Sequence, residues 1–423
     1  MFGVRETEVL VVGAGPVGLF SALSLARHGV RVQIVDEEFR TAAHSYALAL
    51  HSSSLGLLHE AGVAEKLIEH GMRVDTVGLY DRSQRRAEMK LSDLSGPYPF
   101  LLALPQSAVE ALFERQLRQR GIQVEWNHRV SSLRPEGKRV IASIDRLAKV
   151  SRGYAVATTE WIVEKTRTTR ADFVIGADGH RSGVREALGI QYASAGTAEP
   201  FAVFEFHSNA DLPKNEVRVV FDEKTTNVLW PLPGDRWRWS FEWGQRELND
   251  ELRAKNRLAV PLGGESFPHL SEEQFKSLIE ERAPWFEGSI HDIDWSMTVR
   301  FERRLVSSFG RDRLWLAGDA AHLTGPVGIQ SANAGLTEAG ELGSLLTRIL
   351  RENASLTLLE DYSHSRVKQW RRLLGIEGGL TASRKVEPWI AQNISRIAPC
   401  IPATGEDFVQ LAGQLGLQPE SVP

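Results

Sequence analysis

Six residues near the start of the chain, Gly13-Ala14-Gly15-Pro16-Val17-Gly18, constrain its fold more than any other feature. They follow Glu8 to Val12 (EVLVV), a β-branched apolar run that reads as a strand buried on both faces. They open Val17 to His28, a segment of helical period stopped by Gly29, and Val30 to Val35 then reads as a second strand. In a β-α-β unit of this kind the first glycine permits a tight turn, the second lets the backbone approach a pyrophosphate, and the third allows close helix packing. The unpaired N–H groups and positive dipole end of the helix complete an anion site. Asp36 ends the second strand, about 20 residues on, where a carboxylate can accept from ribose hydroxyls; Glu37 and Glu38 adjoin it.

Two later segments repeat the strand-then-turn pattern. Asp172 to Ile175 runs into Gly176-Ala177-Asp178-Gly179, with Ser182 and Arg185 following, and Leu316-Ala317 runs into Gly318-Asp319-Ala320-Ala321-His322. Beyond that turn lie Pro326, Gly328, Ile329, Gln330, Asn333 and Gly335, and a long helix to about Leu350. One aspartate at a strand end is often a helix cap. Three along one parallel sheet can converge on a single crevice at its carboxyl edge.

Elsewhere, Leu55 to His70 and Ser107 to Arg120 read as amphipathic helices, with Gly71 and Gly121 as left-handed caps. Between Gly196 and Trp243 alternating apolar and polar residues predict an antiparallel sheet. Its Phe204, Phe206, Trp230 and Trp239 suit the wall of a site for an aromatic or polycyclic ligand, an ordinary sheet core being the alternative. After Leu358 a helix runs to about Leu374, and the tail to Pro423 is expected to pack on the nucleotide domain.

With a net charge of -4, the chain lacks the basic field that nucleic acid or an anionic membrane would require. No apolar run reaches membrane-spanning length and no secretory signal is visible at the N-terminus. A single cysteine, Cys400, allows no intrachain disulfide, which fits a cytoplasmic protein. No HExxH, zinc-type cysteine pair or GxSxG motif occurs, so no metal site or nucleophile elbow is expected.

The three motifs, in this order over roughly three hundred residues, resemble the class A flavoprotein monooxygenases related to para-hydroxybenzoate hydroxylase. That resemblance implies an α/β fold: a Rossmann-type FAD-binding domain with an inserted, mainly antiparallel β-sheet substrate domain and a helical C-terminal region. The FAD-binding domain would be discontinuous over residues 1–75, 101–190 and 301–350, the substrate domain would comprise 76–100 and 191–300, and the helical region 351–423. It implies FAD as cofactor, NADPH or NADH as transient reductant, and hydroxylation of an aromatic molecule by O2 through a flavin C4a-hydroperoxide. The ADP part of FAD then falls to Gly13, Gly15, Pro16, Gly18, Asp36 and Glu37. Asp178 and Gly179, with Ser182 and Arg185, are linked to FAD and NAD(P)H, and Gly318 and Asp319 to the ribityl chain. Pro326, Gly328, Ile329, Gln330 and Asn333 would lie beside the isoalloxazine ring, and Gln106 would contact FAD.

The chain departs from this pattern at several places. Tyr46 stands where many relatives carry an arginine that touches the cofactor; Gly328-Ile329-Gln330-Ser331 replaces Gly-Gly-Gln-Gly, narrowing the space beside the ring; and Glu338 and Glu341 replace the usual Asp and Asn. A phenolic substrate would benefit from a nearby base, for which His44, Tyr46, His51 and His207 are the candidates. A halogenase-like or reductase-like flavin reaction, or a non-catalytic dinucleotide-binding module, are the alternatives. Trp237-Arg238-Trp239 matches part of a halogenase signature but continues Ser240-Phe241-Glu242, which reads as a strand. The expected state is a monomer or homodimer.

Overall fold

The computed structural model describes residues 4–39, 49–152, 158–244, 259–262, 265–268, 270–383 and 385–420. In chain order the elements that build the site are β1 (Arg5–Val12), α1 (Pro16–Arg27), β2 (Val32–Val35), α2 (Ser52–Glu60), α3 (Gln106–Gln119), β3 (Thr158–Gly176), β4 (Leu314–Leu316), α4 (Gln330–Glu352) and α5 (Thr357–Leu373). The parallel strands lie in the order β4-β3-β1-β2, with Val12, Gly176 and Leu316 in register at one edge. Their side chains (Val9, Leu10, Val11, Phe173, Val174, Ile175 and Leu316) are fully or almost fully buried, as near-continuous apolar strands require when both faces are covered.

Helix α4 reaches α1 because it presents glycines there. A Cβ on Gly335 would lie 2.7 Å from Val17 Cγ2, and one on Gly343 would lie 2.9 Å from Ser24 Cβ. The far end of α4 is tied to β1 by Arg351, which donates to both carboxylate oxygens of Glu8 at 2.7 and 2.9 Å. The hydrogen bonds from Arg351, aided by the Arg31 N–H, hold the Glu8 carboxyl down from 4.5 to about 2. Its contribution is therefore complete above about pH 4.5 and lost as pH falls towards 2. Glu8→Gln is expected to destabilise the protein by about 1 kcal/mol at neutral pH, with the urea midpoints of variant and parent converging as the medium is acidified through that window.

A second sheet of seven strands has the order Ile290–Phe301, Glu199–Ser208, Arg236–Glu242, Thr226–Pro231, Glu216–Phe221, Thr76–Asp81, Gln84–Lys90. Only the pair Glu216–Phe221 and Thr76–Asp81 is parallel. The expected combination of a Rossmann-type sheet, a mainly antiparallel second sheet and C-terminal helices is what the chain folds into.

Local expectations hold with two corrections. Leu55 to His70 is not one helix: α2 ends at Glu60 and a short helix resumes over Ala64–Ile68. The break falls at Gly62, whose φ of 72° gives the left-handed turn expected at Gly71. Gly71 is instead small because Leu102 lies against it, 2.6 Å from where a Cβ would stand. The second correction concerns the aromatic residues. Phe204, Phe206 and Trp239 do not line a ligand wall; they point to the far face of the second sheet and pack with Phe241, Phe275 and Phe286 beneath the helix Glu272–Arg282. Only Trp230 of the four lies on the opposite face, in a core with Phe201, Val203, Val327, Ile329 and Ile401.

Among the described residues, no helix is long and apolar enough to cross a membrane.

Candidate functional site

The carboxyl ends of β1, β3 and β4 continue side by side past the strands themselves. Gly13 N–H donates to Val35 O, Ala177 N–H to Val12 O and Ala317 N–H to Gly176 O, at 2.9, 2.8 and 3.0 Å. Each strand then turns through a glycine of positive φ: Gly13 at 101°, Gly179 at 74° and Gly318 at 64°. The first turn is packed against the second, since a Cβ on Gly13 would overlap Ala177 O and lie 2.8 Å from Asp178 N. Gly18 faces back on Gly13, where a Cβ would be 2.9 Å from the Gly13 carbonyl carbon. Gly15 differs: among the described residues, no atom lies within 4 Å of where its Cβ would stand. It caps α1 without a side-chain hydrogen bond, Pro16 occupies the first turn, and no acidic residue is there to repel an anion.

Three carboxylates border this edge. Asp36 accepts from Ala14 N–H at 2.5 Å and Glu38 N–H at 2.8 Å, while Glu37 is exposed. Asp178 accepts from Val184 N–H at 3.1 Å, and its buried Oδ1 has no partner among the described residues. Burial raises the pKa of both aspartates against these hydrogen bonds. Asp319 is exposed at the third turn and accepts from Ser331 Oγ at 2.8 Å.

The loop before α4 is anchored from two sides. His51 Nε2 donates to Gly328 O at 2.8 Å, and Asn333 accepts from His51 N–H while donating to Ala49 O and Ile329 O. Burial holds the His51 ring down to about 4, so it is neutral, with its hydrogen on Nε2. On the other side Gln330 Nε2 donates to Ile401 O at 2.9 Å, and a Cβ on Gly328 would lie 2.6 Å from Pro399 O and 2.9 Å from Ile401 O. Ile329 is left-handed, with φ 50°, an uncommon state for a β-branched residue and one that cores impose where a loop must be aimed.

Residues 6–375 match the FAD binding domain family. The chain belongs to that family. Over 378 residues it is 29% identical to the 6-methylpretetramide 4-monooxygenase of Streptomyces rimosus, covering 89% of this chain and 62% of that one. It is 25% identical over 386 residues to the pentachlorophenol 4-monooxygenase of Sphingobium chlorophenolicum, covering 87% and 63%. The chain thus spans just under two thirds of the length of these relatives. Among solved structures, p-nitrophenol 4-monooxygenase from Pseudomonas putida superposes with a TM-score of 0.69 over 97% of this chain and 95% of that one, at 20% identity, which establishes the likeness of fold. The resemblance to class A flavoprotein monooxygenases is borne out, and the cofactor of this FAD-binding domain is FAD.

The residues present fit that cofactor. The open space before Gly15 and the uncapped start of α1 suit a pyrophosphate, and the orphaned Asp178 Oδ1 and exposed Asp319 offer acceptors to hydroxyl groups.

The remaining candidates are scattered. Gln106 opens α3 and donates to the buried Glu110 at 2.7 Å. Arg185 is buried and joins the second and third turns, donating to His180 O and Ala320 O, while Ser182 caps its helix. His207 sits on the second sheet between Asp235 and Asp294, at 2.7 and 3.3 Å, and contacts none of the three turns among the described residues. His44 and Tyr46 lie outside the described residues. Two features escaped the sequence reading. One is where the tail, expected to pack on the nucleotide domain, makes its contact: Pro399 to Ile401 return onto the loop before α4. The other is the buried pair of Glu205 and Arg238, cross-strand neighbours on the sheet face shared with Val203 and Trp230. Only register reveals that pair.

Proposed function

We propose that this chain is an FAD-dependent monooxygenase that hydroxylates an aromatic or polycyclic small molecule, using NADPH or NADH and O2. The observation that carries the reading is the alignment of three glycine turns at one sheet edge in a member of the FAD binding domain family. Two relatives whose names specify oxygenation of ring compounds support it.

In this reading Gly13, Gly15, Pro16 and Gly18 present the start of α1 to the pyrophosphate, with Asp36 and Glu37 on the ribose side. Asp178, Gly179, Gly318 and Asp319 serve the sugar-alcohol portion, and Pro326, Gly328, Ile329, Gln330 and Asn333 lie beside the ring. Gln106 approaches from α3. When bound, FAD would supply the redox chemistry and the oxygen activation, with the nicotinamide nucleotide as reductant. The chain supplies placement and exclusion of water. His51, Asn333, Gln330 and Ile401 hold the loop backbone, so that the N–H groups at the start of α4 are fixed before any ligand arrives. The face of the second sheet with Phe201, Val203 and Trp230 abuts that loop and gives an apolar wall, on which Glu205 and Arg238 are the polar element. The three turns, with the parallel sheet, form the FAD-binding part, and the second sheet the substrate-binding part. We place the protein in the cytoplasm, as a monomer or homodimer.

The test is the rate of NADPH and NADH oxidation by the FAD-loaded protein under air, across phenols and polycyclic aromatics, with product mass recorded. Stimulation by a ring compound and a product heavier by one oxygen is expected. Bound FAD without turnover by either nucleotide would point to another flavin reaction.

A further inference from the structure

Behind the third turn lies a chain of polar groups that runs from the core to the surface. Glu338, on α4, and His322 are both fully buried. The Glu338 carboxylate meets three donors: Gly318 N–H at 2.9 Å, His322 Nε2 at 2.8 Å and Trp370 Nε1 at 2.8 Å. Trp370, from α5, also stacks on the His322 ring, with centroids 3.8 Å apart. The other ring nitrogen, Nδ1, lies 3.2 Å from Ser331 Oγ, which in turn is 2.8 Å from Asp319 Oδ1.

Counting hydrogens fixes the polarity. Ser331 has one hydroxyl hydrogen and three acceptors within reach, Asp319 Oδ1 at 2.8 Å, His322 Nδ1 at 3.2 Å and His322 O at 3.4 Å, and the nearest of them, a carboxylate oxygen, takes it. Ser331 Oγ must then accept from His322, so Nδ1 carries a hydrogen. At the other nitrogen, Glu338 Oε2 already accepts from Gly318, and Oε1 accepts from Trp370. A carboxylate so supplied with donors is ionised and takes a further N–H from Nε2. We propose that His322 is a buried imidazolium that links Glu338 to Asp319 through Ser331, fixing the carboxylate of Asp319 as an acceptor aimed at the cofactor. Glu338 and His322 are thus positioning residues. The inference rests on the assignment of Asp319 to FAD made above.

The surroundings agree. Burial pushes the Glu338 carboxyl up, but the His322 ring, Arg366 and the Trp370 N–H together hold it below the usual carboxylate range. Arg366 is itself paired with Glu341, so both glutamates that replace the family's Asp and Asn have a structural partner on α5. The longer Glu338 side chain lets one carboxylate span the turn, the histidine and the tryptophan.

Nitrogen NMR of the histidine rings at neutral pH, with the His322 resonances assigned by their loss in His322→Gln, tests the charge without FAD. Both ring nitrogens protonated is the expected result, and a neutral ring overturns the proposal. FAD titration of the apoprotein tests the linkage. Glu338→Gln places an amide N–H against the donors it must accept from, and is expected to weaken FAD binding about tenfold or more. Ser331→Ala cuts the chain at its outer end, where folding is not at risk, and is expected to do so by a similar factor. Because both break one linkage, the double variant should be little worse than either single one. Effects that simply multiply would show two unrelated contributions and sink the relay. Asp319→Asn separates this inference from its premise. If it leaves FAD affinity unchanged, the assignment of Asp319 fails, while ring protonation still decides the state of His322.

Discussion

Gly13→Ala is expected to destabilise the protein by about 2 to 5 kcal/mol and to abolish FAD retention. Two effects add. A φ of 101° lies where a side chain conflicts with its own backbone, at about 1–2 kcal/mol. The new methyl would also overlap Ala177 O and approach Asp178 N to 2.8 Å, and overpacking adds about 1–3 kcal/mol. The damage reaches beyond one turn, because the ladder from Val12 to Ala177 would have to open. Gly15→Ala supplies the contrast. Its Cβ meets no atom of the described residues within 4 Å and its φ is -69°, so the apoprotein should melt as the parent does while FAD binding weakens. Urea denaturation of the apoproteins, with FAD titration beside it, measures both. Equal destabilisation by the two substitutions would contradict the distinction between a packed glycine and a ligand-facing one.

Trp239→Ala is expected to lower stability by about 3–5 kcal/mol, the usual range for a deleted buried tryptophan, with little change in KM for substrate in the folded fraction. Trp239 is completely buried, stacks on Phe241 at 4.8 Å and meets Trp285 and Phe286, all on the face of the second sheet turned away from the loop before α4. Arg238→Met, one residue away, points to the other face. It should change substrate preference more than Trp239→Ala does, because it removes the positive member of the Glu205–Arg238 pair from the wall beside Trp230 and leaves the carboxylate there without it. Denaturation midpoints and KM values over a substrate panel decide between core and wall. A shift of substrate preference by Trp239→Ala without loss of stability would return the aromatic row to the site.

What the sequence made legible follows from which features are local. A strand, a glycine turn and a helix N-terminus are contiguous in the chain, so the three motifs could be located and the Rossmann-type fold anticipated from them. Helices α3, α4 and α5 lie within two residues or so of the expected ends wherever a cap glycine or a clear apolar face marks them. The break at Gly62 was harder, because Gly62 and Gly71 both follow apolar turns and only the packing of Leu102 shows which one is the turn. Face assignment in the second sheet was beyond reach. Alternation shows that Phe204 and Glu205 point oppositely, but not which of them faces the loop before α4, since that depends on the partner each face finds. The same holds for Glu338. Read alone it is a departure from a family pattern; its meaning comes from Gly318, His322 and Trp370, which lie 16 to 32 residues away along the chain. Pro399 to Ile401 return to Gly328 from still further off, and no local pattern announces a contact of that kind.

The most direct test of the whole account is the origin of the oxygen in the product. FAD-loaded protein would be supplied with NADPH or NADH, with the ring compound that most stimulates nucleotide oxidation, and with isotopically heavy dioxygen in ordinary water. The account predicts a hydroxylated product that carries one heavy oxygen atom and forms in proportion to the nucleotide consumed. Nucleotide oxidation that yields only hydrogen peroxide with every substrate, or a product whose oxygen comes from water, would contradict it.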